Sequence, residues 1–162
     1  MKRMLVAVLL ALIGVGCSTG GGTVGARGSD SKDSVLFEIA ADPQLNRYEK
    51  NSHALVLCLY QLSDADSFTR LAQGTEGMPK LLECGRFDGT VVHVRQVVVQ
   101  PGQELKEIAE RGNGARYLGI ATGYYSTGKK KMTALATIPE DQRESVLRIE
   151  LGAQEIGQVR VK

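Results

Sequence analysis

Tryptophan is absent from this 162-residue chain, and five tyrosines and three phenylalanines are all the aromatic rings it has. So few rings argue against an aromatic-lined pocket for a glycan. They also leave the basic residues without the interleaved stacking surfaces that single-stranded nucleic acid needs. Histidine occurs only as His53 and His93, with no His-x-His pair and no Asp/Glu cluster beside either. Neither a metal site nor a general base with an orienting partner is therefore spelled out, and no cofactor is expected. Ser63, Ser67 and Ser126 lack the Gly-x-Ser-x-Gly elbow. Gly112 and Gly114, flanking Asn113, read as turn chemistry and not as a phosphate cradle. The expectation is a protein that is not an enzyme and takes no small-molecule substrate. Long apolar runs are missing too: Met4 to Val15 covers twelve residues, about 18 Å as a helix against roughly 30 Å of hydrocarbon.

What stands at the start instead is a secretion signal. Lys2 and Arg3 precede the apolar run, and Gly14-Val15-Gly16 offers small residues just before Cys17, which predicts cleavage after residue 16. A cysteine so placed resembles a lipobox, although Gly14 occupies the position where leucine is usual; ordinary cleavage before an unmodified Cys17 is the alternative. A lipidated Cys17 carries three acyl chains, and at about 0.8 kcal/mol per buried CH₂ these anchor the chain for good. Ser18 follows in place of the aspartate that resembles an inner-membrane retention signal, so the expected address is the periplasmic face of the outer membrane. Cleavage also removes two basic residues, leaving 18 of each sign in the 146 that remain. The +2 of the whole chain belongs to the leader and implies no nucleic-acid partner.

Residues 17–33 hold five glycines and little to bury, the composition of a flexible tether. From Val35 the pattern changes to short β-branched runs bounded by Gly, Pro, Asn and Asp. It predicts one antiparallel all-β domain over 34–162, with strands at 35–40, 53–61, 90–99, 103–108, 116–125, 132–138, 146–151 and 156–161. Eight strands point to a sandwich or barrel. The second strand is apolar on both faces, Leu55, Leu57 and Leu59 on one and Val56, Cys58 and Tyr60 on the other, so something besides the opposing sheet must cover it. The next segment offers that cover: Ser63 and Asp66 resemble a cap, Phe68, Leu71 and Ala72 fall at helical spacing before Gly74, and Pro79 suits the start of a second short helix.

Cys58 and Cys84 remain once Cys17 is lipidated, an even number in an oxidising compartment. A disulfide between them, pinning the helical insert, competes with two buried thiols; no Cys-x-x-Cys redox pair exists. Lys129, Lys130 and Lys131 follow Ser126-Thr127-Gly128 at a predicted hairpin tip, either solvated or facing anionic lipid or an acidic partner. The connection from Asp42 to Ser52 exceeds the two to five residues usual for a hairpin. Leu45, Arg47 and Tyr48 in it are residue types that interfaces favour.

Leu59-Tyr60-Gln61-Leu62, then Phe68 and Leu71, then Pro101-Gly102 and Arg116-Tyr117-Leu118-Gly119-Ile120-Ala121 together resemble TssJ, the outer-membrane lipoprotein family of type VI secretion systems. The resemblance covers roughly residues 34–162. It implies a transthyretin-like antiparallel β-sandwich with a helical addition after the second strand and no enzymatic activity. It also implies binding to the periplasmic C-terminal domain of TssM, within a complex that includes TssL. The family's loop between the first two strands is implicated in that contact, which here means Asp42, Pro43, Gln44, Leu45, Asn46, Arg47, Tyr48, Glu49, Lys50 and Asn51. The chain departs from the family pattern at Cys58, where a basic residue is frequent, and in having no tryptophan in a later strand. A generic envelope β-sandwich lipoprotein binding a small ligand such as a glycan or metal is the alternative reading.

Overall fold

The computed structural model describes residues 33–125 and 130–162; the leader, Cys17, most of the tether and Lys129 lie outside them. Eight strands and two short helices follow in the order β1 (Ser34–Ala41), β2 (Leu55–Leu62), α1 (Asp66–Gln73), α2 (Gly77–Leu82), β3 (Val91–Val99), β4 (Glu104–Glu110), β5 (Tyr117–Thr122), β6 (Thr133–Thr137), β7 (Glu144–Leu151) and β8 (Ile156–Val161). One sheet has the order β4-β1-β7-β8 and the other β3-β2-β5-β6. β1 and β7 run parallel, while every other pairing is antiparallel. The all-β sandwich read from the sequence is the fold that forms.

Alternation decides where each strand's side chains go. Val35, Phe37 and Ile39 of β1 meet Leu55, Leu57 and Leu59 of β2, Leu118 and Ile120 of β5, and Leu147 and Ile149 of β7 between the sheets. The opposite face of β2 sends Cys58, Tyr60 and Leu62 into a second cluster with Phe68 of α1, Leu81 of α2 and Ala121 of β5. The second face of β2 is thus covered by the insert that its two-sided hydrophobicity demanded. Gly119 makes the fit possible, since a Cβ there would lie 2.8 Å from the Phe68 ring.

Three local readings need correction. Ser63 does not cap α1: the N-cap is Ala65, the Asp64 Oδ1 accepts the Asp66 N–H at 2.8 Å, and the Ser63 hydroxyl donates to the Thr90 carbonyl instead. α2 starts at Gly77, not Pro79. A helix leaves its first four N–H groups without internal partners, so proline at the third position loses nothing. Gly77 is fixed by packing, because a Cβ would overlap the Leu71 backbone. β5 ends at Thr122 instead of Tyr125; the Gly123 N–H turns to the Val56 carbonyl.

A disulfide joins Cys58 of β2 to Cys84, just past α2, across a Cα–Cα distance of 5.1 Å. Beside it the buried Tyr60 hydroxyl donates to the Leu81 carbonyl at 2.5 Å. Burial, helped by the Glu83 carboxylate, pushes the Tyr60 phenol up to about 12. The fold therefore favours the neutral phenol. Its contribution is complete below the unfolded value of about 10 and is lost as pH climbs from there through about 12. Thermal melts should show stability falling in that window, with a shallower fall in Tyr60→Phe. The same variant should be about 1 kcal/mol less stable at neutral pH, having lost the hydrogen bond. An unchanged alkaline slope would remove Tyr60 from this account.

Candidate functional site

The β1–β2 connection, residues 42–54, lies at one end of the sandwich, together with the β3–β4, β5–β6 and β7–β8 connections. Its first part is a root inside the fold. Leu45 is 0% exposed; its N–H donates to the Asp42 carbonyl at 2.9 Å and its carbonyl accepts the His53 N–H at 3.1 Å. Asn46 is buried with φ 49°, a left-handed conformation that asparagine tolerates better than most residues. Its amide donates to the Ala54 carbonyl at 3.0 Å and accepts the Tyr125 N–H at 2.7 Å, tying the loop to the β5–β6 connection. Leu45 was expected among the partner-facing residues; the structure places it in the core, and Asn46 is spent on the same internal scaffold.

From Arg47 the loop leaves the core. The Arg47 N–H donates to the Ala153 carbonyl at 2.9 Å, and Tyr48 and Asn51 exchange backbone hydrogen bonds of 3.0 and 3.1 Å. This closes a tight tip, with Glu49 at φ 52°. Arg47, Tyr48, Glu49, Lys50 and Asn51 are exposed, as are Asp42, Pro43 and Gln44 beside the root. The Arg47 guanidinium reaches the Gln44 side-chain oxygen at 3.0 Å and the Glu49 carbonyl at 3.3 Å, so it braces the tip from one side.

Sequence reasoning missed two neighbours. Tyr125 is 61% exposed and Tyr48 54%; their ring centroids stand 5.8 Å apart, and His53 meets Tyr125 edge-on at 5.5 Å. Three rings from two connections thus form one aromatic platform. The only signal for Tyr125 was its pairing with Tyr124, since adjacent residues leaving a strand point to opposite sides. Tyr124 is buried, its hydroxyl bonded to the Gly152 carbonyl at 3.1 Å. Burial, then the Glu155 and Asp42 carboxylates, hold its phenol above the ordinary range. Lys130 and Lys131 are exposed at the same end. His93 is exposed on β3, and among the described residues no three His, Cys, Asp or Glu side chains gather as a metal site would require. Open depressions of about 650 and 760 Å³ at the two ends of the sandwich are lined by charged side chains, glycines and backbone.

No curated protein matches the chain. Solved structures do. The T6SS lipoprotein TssJ1 from Pseudomonas aeruginosa is similar at TM-score 0.67 and 24% identity, over 81% of this chain and 97% of that one. Lip from Serratia marcescens, a membrane-bound component of the type VI secretion system, is similar at TM-score 0.61 and 17% identity, over 80% and 96%. A chain of a type VI membrane complex is similar at TM-score 0.64 and 18% identity, over 80% and 99%. These likenesses fix the fold. The T6SS-SciN family model, described as type VI secretion lipoprotein and covering VasD, EvfM and TssJ, matches residues 33–154, nearly the whole sandwich. The chain belongs to this family of type VI secretion lipoproteins, the TssJ family.

Proposed function

We propose that the protein is a non-enzymatic assembly factor that binds the periplasmic C-terminal domain of TssM, in a complex with TssL. A lipid on Cys17 holds it at the periplasmic face of the outer membrane, and the exposed tip at 47–51 meets the partner. One observation carries this reading: β1 starts at Ser34, next to the tether, and ends at the loop. Its eight residues span about 26 Å. Ser34, where the domain begins, and the tip lie at opposite ends of the sandwich, so lipid attachment through the preceding segment concentrates the protein in a thin layer without covering the tip. Family membership and the likeness to a chain of a type VI membrane complex support the same partner class.

The test separates tip from root. Arg47→Ala with Tyr48→Ala should weaken binding to the TssM periplasmic domain at least tenfold by calorimetry, with a melting temperature close to that of the parent. Leu45→Ala should instead lower stability by about 2–4 kcal/mol, the cost of a cavity at a buried leucine. Undiminished affinity of the double variant would overturn the loop assignment.

A further inference from the structure

Among the described residues, α1 and α2 cover only the sheet containing β2, and the outer face of the β4-β1-β7-β8 sheet carries no layer. The strand registers align its side chains in rungs. Nearest the tether lie Glu110, Ser34 and Glu144; next Ile108, Leu36 and Val146, with Lys162 at the rim; then Lys106, Glu38, Arg148 and Arg160; then Glu104, Ala40 and Glu150. The second rung is apolar across three strands, and its Ile108 is 69% exposed. The third holds three cations around one carboxylate, with Lys106 Nζ at 2.9 Å and Arg148 Nε at 2.6 Å from Glu38. The rungs on either side of these two are acidic.

We propose that this face docks on the same face of a second copy, about a twofold axis that crosses the strands along the Ile108–Leu36–Val146 rung. The operation places each apolar residue of that rung against its own counterpart, and only Lys162 at the rim meets a like charge there. It sets the cationic third rung over the acidic first rung of the other copy, so Arg148 meets Glu144 twice, once on each side of the axis. Ser34 falls opposite Glu38, a hydroxyl facing a carboxylate. Arg148 has donors to spare, since a guanidinium carries five N–H groups and its side chain is 51% exposed. A twofold axis along the strands would instead lay each rung on itself, positive on positive and negative on negative. The charge order selects one arrangement and opposes the other.

The fourth rung overhangs, so four strands and three overlapping rungs give a buried face of roughly 400 Å² per copy from the standard strand and residue spacings. Stable interfaces bury about 800 Å² per partner, so association in free solution is weak. Confinement to a lipid surface raises the effective concentration. The geometry suits that setting: the axis passes two residues from Ser34, which leaves the two Ser34 residues about 13 Å apart along the strands. Both tethers then leave from the middle of the dimer, while the two 47–51 tips point in opposite directions.

The test uses the full mature chain on lipid vesicles, with a mild oxidant. Ile108→Cys places a thiol on the axis and should cross-link to a covalent dimer at least fivefold more than Ala40→Cys, an exposed control off the axis. Adding Glu144→Arg to Ile108→Cys should cut the yield severalfold without changing vesicle binding or melting temperature. Equal yields at the two sites, or indifference to Glu144→Arg, would overturn the proposal. The assay rests on the lipid reading of Cys17, and flotation of each variant with the vesicles keeps the two apart. Failure to float counts against the anchor; floating protein that does not cross-link counts against the dimer, as does absence of cross-linking when the same chain is held on vesicles by an engineered tag.

Discussion

Phe68→Ala is expected to lower unfolding free energy by about 3–5 kcal/mol in urea titrations, among the largest single-side-chain losses in this fold. Phe68 is 1% exposed and its ring stands 5.8 Å from that of Tyr60. It rests on the bare backbone of Gly119, where a Cβ would approach ring atoms at 2.8, 3.0 and 3.1 Å. Gly119→Ala should therefore destabilise as well, because the ring cannot retreat from a packed cluster. The two changes share one volume, so their costs should not add. The added methyl should be tolerated once the ring is gone, giving an interaction energy above about 1 kcal/mol in a double-mutant cycle. Simple additivity would mean that α1 sits on the sheet by other contacts.

Loss of the Cys58–Cys84 disulfide is expected to remove about 3.5 kcal/mol in the loop-entropy account, for a bridge whose ends are 26 positions apart. Everything between those ends is the last half of β2, the insert and its turns, so the loss should be local first. Amide exchange in α1 and α2 should accelerate before that in β1 or β7. The substituted side matters. Cys84 has φ 47° just past the end of α2, a left-handed position where glycine is favoured. Cys84→Gly should thus be about 1 kcal/mol less damaging than Cys84→Ala, although both abolish the bridge. Equal melting temperatures for the two would show that the backbone at 84 relaxes once the bridge is gone.

The sandwich was legible because strands have a period. Leu55, Leu57 and Leu59 alternating with Val56, Cys58 and Tyr60 announced a strand needing cover on both faces, and the insert that follows supplies it. Loops have no period, and there the reading failed. Nothing in the order of residues says whether a leucine in a long connection points out as an anchor or in as a root; Leu45 does the latter. The aromatic platform was invisible for another reason. It depends on Asn46 accepting the Tyr125 N–H from 79 positions away, a contact that no local pattern encodes.

The residues that carry the family resemblance turn out to be fold-holding ones. The Tyr60 hydroxyl ties β2 to α2. Gln61, 1% exposed, donates to the Glu110 carbonyl at 2.9 Å and accepts the Gly112 N–H at 2.7 Å, joining the two sheets at the end where β1 begins. Gly102, at φ 71°, turns β3 into β4, and Gly119 seats Phe68. A pattern made of such residues reports architecture with confidence and says little about the surface that meets a partner. The tip from Arg47 to Asn51 makes no contribution to it.

The course of β1 also bears on how the domain resists being pulled. Tension between residue 33 and the tip runs along this strand, from residue 34 towards residue 41. β1 lies in the interior of its sheet, held along its whole length by β4 on one side and β7 on the other. A load in that direction slides the strand against both ladders, so their hydrogen bonds must yield together instead of opening one at a time from an end. The element that joins the two ends of the domain is thus the one best placed to carry a pulling force between them.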